Sequence, residues 1–321
     1  MDTLLQQVTS LRRAITKFGP APHKPIMLLA ILESFDESEI NSNWIGINEA
    51  LLIRFYDLWN LLVKTKNAPN FSLTFFHLSN ERRGLWNLIP VPGKSHITTH
   101  KFFYKSLKLL KETFLGAQLS DEFYNAVKSQ ENRDALKFAL LNTYFPQSSA
   151  RQRDTTLRYS KKIESQILFD AKENYAENKI QQEHEETIES MEEEMILRNY
   201  LFRKAVLETY NNQCAISGLK IESSDEMLLV DACQIVPFTQ TSDNSIRNGI
   251  ALSPTLHRAF DNGLIAIDNN YRILIPGKLK DYNPAAGIRQ YLGKTILLPL
   301  EEQFYPSLKR LAEHRAKFGY D

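Results

Sequence analysis

The sequence predicts an α+β protein with a mostly helical N-terminal domain, a helical connector and a small strand–strand–helix unit towards its C-terminus. Residues 1–150 mix helical and strand patterns, residues 151–200 contain neither glycine nor proline, and residues 227–275 alternate short apolar runs with turn signals. A chain of 321 residues also favours two domains over one. We therefore expect domains at residues 1–150 and 201–321, joined by a charged connector at residues 151–200.

Composition excludes several classes of protein. A hydrophobic content of 43% and a charged content of 24% are ordinary for a folded globular protein. The first residues lack the apolar core of a secretory signal, and no apolar run approaches the ~20 residues that span a bilayer. Two cysteines, Cys214 and Cys233, are too few for a disulfide framework or a four-cysteine zinc site. We expect a cytoplasmic protein in which both are buried thiols, an interpretation that we favour over a metal role.

The N-terminal domain begins with helical patterns and continues with two strand-like runs. Pro25 lies in the first turn of a predicted buried helix, and residues 47–63 place apolar side chains at helical spacing. Residues 71–79 and 85–91 predict the two strands of a β-hairpin joined by a polar turn. A last helix is predicted from Asn132 to the proline stop at Pro146.

The connector changes from basic to strongly acidic along residues 151–200. Without glycine or proline, this composition favours a helix over a flexible linker. An intermittent apolar stripe leaves a dimerising coiled coil as the second hypothesis, while the acidic face is expected to be solvated.

Polar residues at defined spacing follow in the C-terminal unit. Gln234 ends an apolar strand predicted at residues 227–235, and Asn248 starts the next strand 14 positions later. His257 lies a further 9 positions on, inside a helix that begins with Pro254 after a serine cap. A histidine on a helix or an asparagine before glycine is common in any protein, so the order and spacing together make this unit a candidate site.

The string DACQIVP…NGIAL…LHRAFDNGLI resembles the HNH, or ββα-metal, nucleases over residues 205–275. In that family the first-strand histidine is the general base, the asparagine orients it and braces the loop, and the helix histidine binds a divalent cation. The resemblance therefore implies that Asn248 is the orienting residue and His257 a ligand of Mg²⁺ or Mn²⁺. It makes Asp231 a weaker candidate for a second ligand and Asp261 a group that positions the helix or its histidine.

Gln234 departs from this pattern, because the family has histidine at the corresponding catalytic position. An amide cannot accept a proton at neutral pH, and losing a general base costs about 10²–10⁴ in rate. DNA and metal binding could survive that loss. Either one substitution has disarmed a nuclease, which we favour, or the protein is a natural relative kept for binding.

The strings GPAPHKPIMLLAIL, PNFSLTFFHLS and GLWNLIP resemble the sulfur-binding domain of modification-dependent restriction enzymes over residues 5–95. Members of that family recognise phosphorothioate-modified DNA. Thr74 stands where the family commonly has a proline, and Pro20 where several members have an arginine. The resemblance implies that the HKP element, His23 and Lys24, approaches the DNA backbone.

A phosphorothioate is larger, softer and less hydrated than a phosphate, so an apolar dimple flanked by cations would prefer it. We expect three side chains of the predicted hairpin to line that dimple and two arginines at its tip to hold phosphate. A basic helix face is a further candidate, although such lysines are often only solvated. These residues are Phe75, Phe76 and His77, then Arg82 and Arg83, and finally Lys101, Lys105, Lys108 and Lys111.

Together, these resemblances imply a modification-dependent (type IV) DNA restriction endonuclease of the kind used in phage defence. Its partner would be modified double-stranded DNA, and a homodimer is expected because cutting both strands needs two sites. Two alternatives stay open: a non-catalytic protein that binds modified DNA through a degenerate nuclease fold, and a nuclease of structured RNA.

Overall fold

The computed structural model describes residues 1–81, 84–94, 106–147, 159–169, 188–222, 228–241, 243–283 and 285–320. The chain divides into two compact units. The first comprises residues 1–162 and 180–197, and the second comprises residues 163–179 and 198–321. Among the described residues, no helix combines the length and apolar character needed to cross a membrane.

The first unit combines helices with a three-stranded antiparallel sheet in which β5 lies between β3 and β4. Helix α2 is buried on every side and contacts α3, α4 and α7, which explains its nearly continuous apolar sequence. The helices are α1 (Asp2–Thr9), α2 (His23–Asp36), α3 (Glu49–Leu62), α4 (Phe71–His77), α5 (Leu107–Thr113), α6 (Asp121–Val127) and α7 (Gln130–Tyr144). The strands are β1 (Ile15–Thr16), β2 (Gly19–Pro20), β3 (Trp44–Gly46), β4 (Trp86–Pro90) and β5 (Phe114–Leu119).

The β-hairpin predicted at residues 71–79 and 85–91 is wrong, because Phe71–His77 forms helix α4. The Asn70 side chain accepts a hydrogen bond from the Leu73 backbone N–H at 2.8 Å, which caps the helix. Phe71 and Phe75, four residues apart, are both fully buried, a spacing that fits a helix as well as a strand. Strand β4 exists as predicted, but it pairs with β5 instead.

Three helix predictions in this unit are confirmed. Helix α2 carries Pro25 in its first turn, as expected. Helix α3 lies within the predicted residues 47–63, where Asn48 caps it by accepting a hydrogen bond from the Leu51 N–H at 2.9 Å. Helix α7 ends at Tyr144, before Pro146.

Two helices occupy the described part of residues 151–200, as the composition predicts. They are α8 (Tyr159–Phe169) and α9 (Ile188–Thr209). Residues 188–197 of α9 belong to the first unit and residues 198–209 to the second.

The second unit contains two small antiparallel strand pairs, β6 with β7 and β8 with β9. Helix α11 contacts both β6 and β7, and helix α12 contacts β8. The elements are β6 (Asp231–Gln234), α10 (Phe238–Thr241), β7 (Gly249–Leu252), α11 (Pro254–Asp261), β8 (Ala266–Ile267), β9 (Ile273–Leu274) and α12 (Leu308–Phe318).

Candidate functional site

The predicted order of strand, loop, strand and helix is present in the second unit. Strand β6 runs antiparallel to β7, with Gln234 opposite Gly249. Helix α11 begins at Pro254, directly after the N-cap residue Ser253. The turn after α11 contains Gly263 at φ +66°, where an added Cβ would lie 2.3 Å from the Phe318 ring. These local features fix the strand and the helix that carry the site.

Four potential metal ligands come from β6 and α11. Asp231 and Cys233 are two apart on a strand and so share a face, while His257 and Asp261 are one helical turn apart. The distance from His257 Nε2 to Asp261 Oδ2 is 3.4 Å, and from His257 Nδ1 to Asp231 Oδ2 it is 4.0 Å. Cys233 Sγ donates a hydrogen bond to Asp261 Oδ1 at 3.7 Å.

One ligand atom each from Cys233, His257 and Asp261 lies within 4.8 Å of the other two. Thiolate, imidazole and carboxylate are all ligands of divalent transition metals, so this donor set fits such an ion. Cys233 is fully buried, as the sequence predicts, but it also belongs to this cluster. Sequence analysis missed that role, because one cysteine in a strand shows nothing of what packs against it.

The cluster carries an excess of acidic groups. Burial raises the pKa of the Cys233 thiol well above its usual value, and the nearby carboxylates of Asp261 and Asp231 add to the rise. Arg203 Nη1 balances part of this charge with an ion pair to Asp231 Oδ1 at 2.9 Å. A divalent cation would reverse the effect on the thiol, since a coordinated thiol loses its proton.

Gln234 is the neighbour of Cys233 on the strand and therefore points to the opposite face. Its Nε2 donates a hydrogen bond to Asn244 Oδ1 at 2.9 Å, and its Oε1 accepts one from the Phe238 backbone N–H at 3.0 Å. Both ends of the amide are thus held by the loop that joins β6 to β7.

Asn248, predicted to orient position 234 and brace the loop, is fully buried. Its Oδ1 accepts from the Val236 N–H at 3.1 Å, and its Nδ2 donates to the carbonyls of Val236 and Asp243 at 2.9 and 3.0 Å. These contacts brace the loop. The side-chain contact to Gln234 comes from Asn244, which the sequence did not single out because no spacing rule distinguishes one loop asparagine from another.

A buried ion pair fixes the same loop to helix α12. Arg310 donates from Nε and Nη2 to Asp243 Oδ2 at 2.9 and 2.7 Å, and both side chains are almost fully buried. The His314 ring stacks on Phe260 of α11 with ring centroids 3.8 Å apart. Helix α12 therefore supports both the loop and the helix that form the site.

The first unit contains a cavity of about 470 Å³ between the segment before α2, the start of α2, and α4. Its lining combines small or apolar groups with three cationic side chains. The first group includes Ala14, Ala21, Leu73 and Thr74, the cations are Arg12, Arg13 and Lys24, and His23 and His77 complete this part of the wall.

Some of the predicted DNA-binding residues line the cavity, and others lie in the core. His23, Lys24 and His77 line the cavity. The prediction that Phe75 and Phe76 line it does not match the structure, which buries both in the core, with the Phe75 ring 4.6 Å from Trp86. The reason is that residues 71–77 form a helix, whose faces do not alternate as those of a strand do.

The predicted basic residues are only partly described. Arg82, Arg83, Lys101 and Lys105 lie outside the described residues. Lys108 is exposed on α5, and Lys111 forms an ion pair with Glu49 at 2.7 Å.

Two residues of the HKP element already have protein partners. His23 Nε2 lies 2.9 Å from the Ala68 carbonyl oxygen, and burial lowers the His23 pKa to about 4. The ring is therefore neutral at pH 7, and Nε2 carries the proton that it donates to this carbonyl. Lys24 forms an ion pair with Glu81, and both side chains are largely buried.

Comparison with known proteins identifies both parts of the chain. Residues 214–268 match the HNH endonuclease family, and residues 1–153 match the family of ScoMcrA-like DNA sulfur-binding domains. A solved structure titled modification dependent TagI restriction endonuclease aligns with 20% identity over 36% of each chain, with a TM-score of 0.27. No curated protein sequence matches the chain. The chain therefore combines a ScoMcrA-like DNA sulfur-binding domain with an HNH endonuclease domain, as both resemblances in the sequence imply.

Proposed function

We propose that this protein is a modification-dependent DNA endonuclease. The N-terminal domain would recognise phosphorothioate-modified duplex DNA, and the HNH domain would hydrolyse phosphodiester bonds. The observation that carries this proposal is the Cys233–His257–Asp261 cluster on the strand–strand–helix unit, in a chain that also holds a cation-flanked cavity within its sulfur-binding domain.

The cavity supports the recognition step through its chemistry. Sulfur is larger and less hydrated than oxygen, so its transfer from water to a wall of Ala14, Ala21 and Leu73 is favourable. Arg12 and Arg13 supply positive charge beside that wall, and guanidinium groups are themselves weakly hydrated. This combination suits an anion that carries a soft, apolar atom.

The metal would be held by Cys233, His257 and Asp261, with Asp231 beside His257. When bound, a divalent ion stabilises charge on the phosphate and on the leaving oxygen. HNH nucleases generally depend on such ions. Of Mg²⁺ and Mn²⁺, we propose Mn²⁺, because a thiolate and an imidazole are poor ligands for magnesium.

Position 234 gives one specific reason to keep a second candidate function. The Gln234 amide cannot take a proton from water, and both of its ends are bonded to the loop. A protein that binds modified DNA without cutting it fits this feature, and metal would then serve binding alone.

A binding comparison tests the proposed function directly. Full-length protein would be titrated against a duplex with phosphorothioate linkages, the same duplex without them, and a transfer RNA. We expect tighter binding to the modified duplex than to either competitor. Equal affinity for the two duplexes would rule out recognition of the modification, and a preference for the transfer RNA would point to the RNA hypothesis.

A further inference from the structure

Two side chains that line the cavity in the first unit form hydrogen bonds or ion pairs within the protein. His23 Nε2 donates to the Ala68 carbonyl, and the His23 and Trp59 rings pack edge to face with centroids 4.6 Å apart. Lys24 lines the cavity, yet its ammonium group is paired with Glu81. His23 and Lys24, the cavity-lining residues of the HKP element, are thus already bonded to other groups of the protein.

Glu81 is well placed to hold the lysine. Its side chain is only 5% exposed, and its carboxylate also accepts hydrogen bonds from the Arg12 backbone N–H at 3.2 and 3.3 Å. It lines a neighbouring cavity of about 360 Å³ together with Arg12. A carboxylate bonded to both Arg12 and Lys24 is fixed at the boundary between the two cavities.

The ion pair between Lys24 and Glu81 affects whether the cavity prefers a phosphate that presents sulfur or one that presents oxygen. An ammonium is a compact, strongly hydrated cation whose donors form their best hydrogen bonds with oxygen. A free Lys24 would therefore add more to the binding of an ordinary phosphate than to that of a phosphate presenting sulfur. The guanidinium groups of Arg12 and Arg13 are larger and more weakly hydrated, and they leave the cavity its positive charge.

We propose that Glu81 is a specificity-determining residue that neutralises Lys24 and thereby lowers the affinity of the sulfur-binding domain for unmodified DNA. This assignment rests on the proposed recognition of phosphorothioate DNA. Glu81 does not touch the ligand, and it acts by keeping the lysine ammonium from it.

The test measures selectivity, defined as the dissociation constant for an unmodified duplex divided by that for the same duplex with one phosphorothioate per strand. In full-length Glu81→Gln, the amide oxygen can still accept from the Arg12 N–H while Lys24 is released. Selectivity should fall by about threefold, the scale of one solvent-accessible charge contact. The salt dependence for the unmodified duplex should steepen by about 0.9, because one more phosphate is neutralised.

Two further variants test whether selectivity falls because the Lys24 ammonium is released, and not because any one negative charge is lost. Glu122 is exposed on α6 and lines neither cavity, so Glu122→Gln removes the same charge and should leave selectivity unchanged. In Lys24→Met, the Glu81→Gln substitution should have no effect on selectivity, because there is no ammonium to release. Glu81→Ala also releases Lys24, so it should lower selectivity in the same direction and provides the test if Glu81→Gln fails to fold.

Unchanged selectivity in folded Glu81→Gln, or a fall that persists in the Lys24→Met background, would overturn the assignment. So would unchanged selectivity in folded Glu81→Ala. If the wild-type protein binds both duplexes equally, the proposed recognition itself is wrong and this assignment falls with it.

Discussion

Under the proposed function, the residue at position 234 governs whether the HNH domain cuts DNA or only binds it. Its side chain reaches into the loop between β6 and β7, where Asn244 and the Phe238 N–H hold the two ends of the amide. An imidazole at the same place could donate from one nitrogen to Asn244 Oδ1 and leave the other free to accept a proton near neutral pH. The environment of Gln234 thus suits the histidine that the family has there.

Gln234→His should therefore raise the rate of DNA cleavage by at least ~10²-fold, the lower range of what a general base contributes. Linearisation of a phosphorothioate-modified plasmid with Mn²⁺ or Mg²⁺ measures this change. Gln234→Leu is the control, since it removes the amide without supplying a base, and it should stay inert. A fast glutamine form, or an inert histidine form that is folded and metal-bound, would show that residue 234 is not the base.

The two cysteines provide a matched pair for testing the metal ligands. Both are fully buried, but only Cys233 belongs to the cluster with His257 and Asp261. Cys233→Ser should weaken Co²⁺ and Mn²⁺ binding by about tenfold or more and abolish the thiolate-to-cobalt charge-transfer absorption. Cys214→Ser should retain both. If the absorption survives in Cys233→Ser, or is absent from the wild type, the thiol is not a ligand.

At the level of elements, helix α4 depends on a residue far away in sequence. The buried carboxylate of Glu193, on α9, accepts hydrogen bonds from the backbone N–H groups of Phe71 and Ser72 at 2.8 and 2.9 Å. It also accepts from Ser72 Oγ at 2.6 Å and from the Tyr56 hydroxyl at 3.1 Å. Glu193 thereby satisfies N–H groups in the first turn of α4, the helix whose Leu73, Thr74 and His77 line the cavity.

Glu193→Ala should lower the free energy of unfolding by about 3 kcal/mol or more, because it leaves several buried donors without partners. Urea denaturation monitored by circular dichroism measures this loss. The neighbouring Glu192 is exposed, and Glu192→Ala should have little effect. A similar loss in both variants would mean that the buried hydrogen bonds are not the cause.

The raised pKa of Glu193 also predicts how the free energy of unfolding depends on pH. Burial raises the Glu193 pKa above 4.5 more strongly than its four donors lower it. Its contribution to stability is therefore complete below pH 4.5 and is lost as the pH rises through the folded-state pKa. Relative to Glu193→Gln, the wild type should lose stability as the pH rises from 4.5 through the folded-state pKa. Urea midpoints that stay parallel for the two proteins across this range would contradict the prediction.

Local patterns predicted the elements that need no distant partner. The buried helix at Pro25, the helix at residues 47–63 and the strand–strand–helix order around Gln234 and His257 all follow from caps, turns and spacing. The strand predicted at residues 71–79 was wrong because its aromatic residues suit both periods, and Asn70 as a cap was overlooked. Other features depend on which distant segments of the chain meet, and periodicity alone does not determine that. They are strand β5, the contacts of Asn244 and Cys233, and the ion pair between Lys24 and Glu81.

At the level of the whole molecule, recognition and hydrolysis are assigned to separate regions of the chain. Among the described residues, those that line the cavity belong to the first unit and those of the metal cluster to the second. The HNH match covers residues 214–268, while the sulfur-binding match ends at residue 153. A substitution at one site should therefore leave the chemistry of the other unchanged.

His257→Ala tests this separation. The substitution removes the imidazole of the metal cluster, so calorimetry should detect a loss of Mn²⁺ affinity of at least about tenfold, and any residual cleavage should disappear. Affinity for phosphorothioate duplex DNA, measured by gel shift, should stay nearly unchanged because the cavity of the sulfur-binding domain is intact. Chelation of metal from the wild-type protein should reproduce both results. Unchanged Mn²⁺ binding would remove His257 from the ligand set, whereas a parallel fall in DNA affinity would show that the HNH domain contributes to recognition.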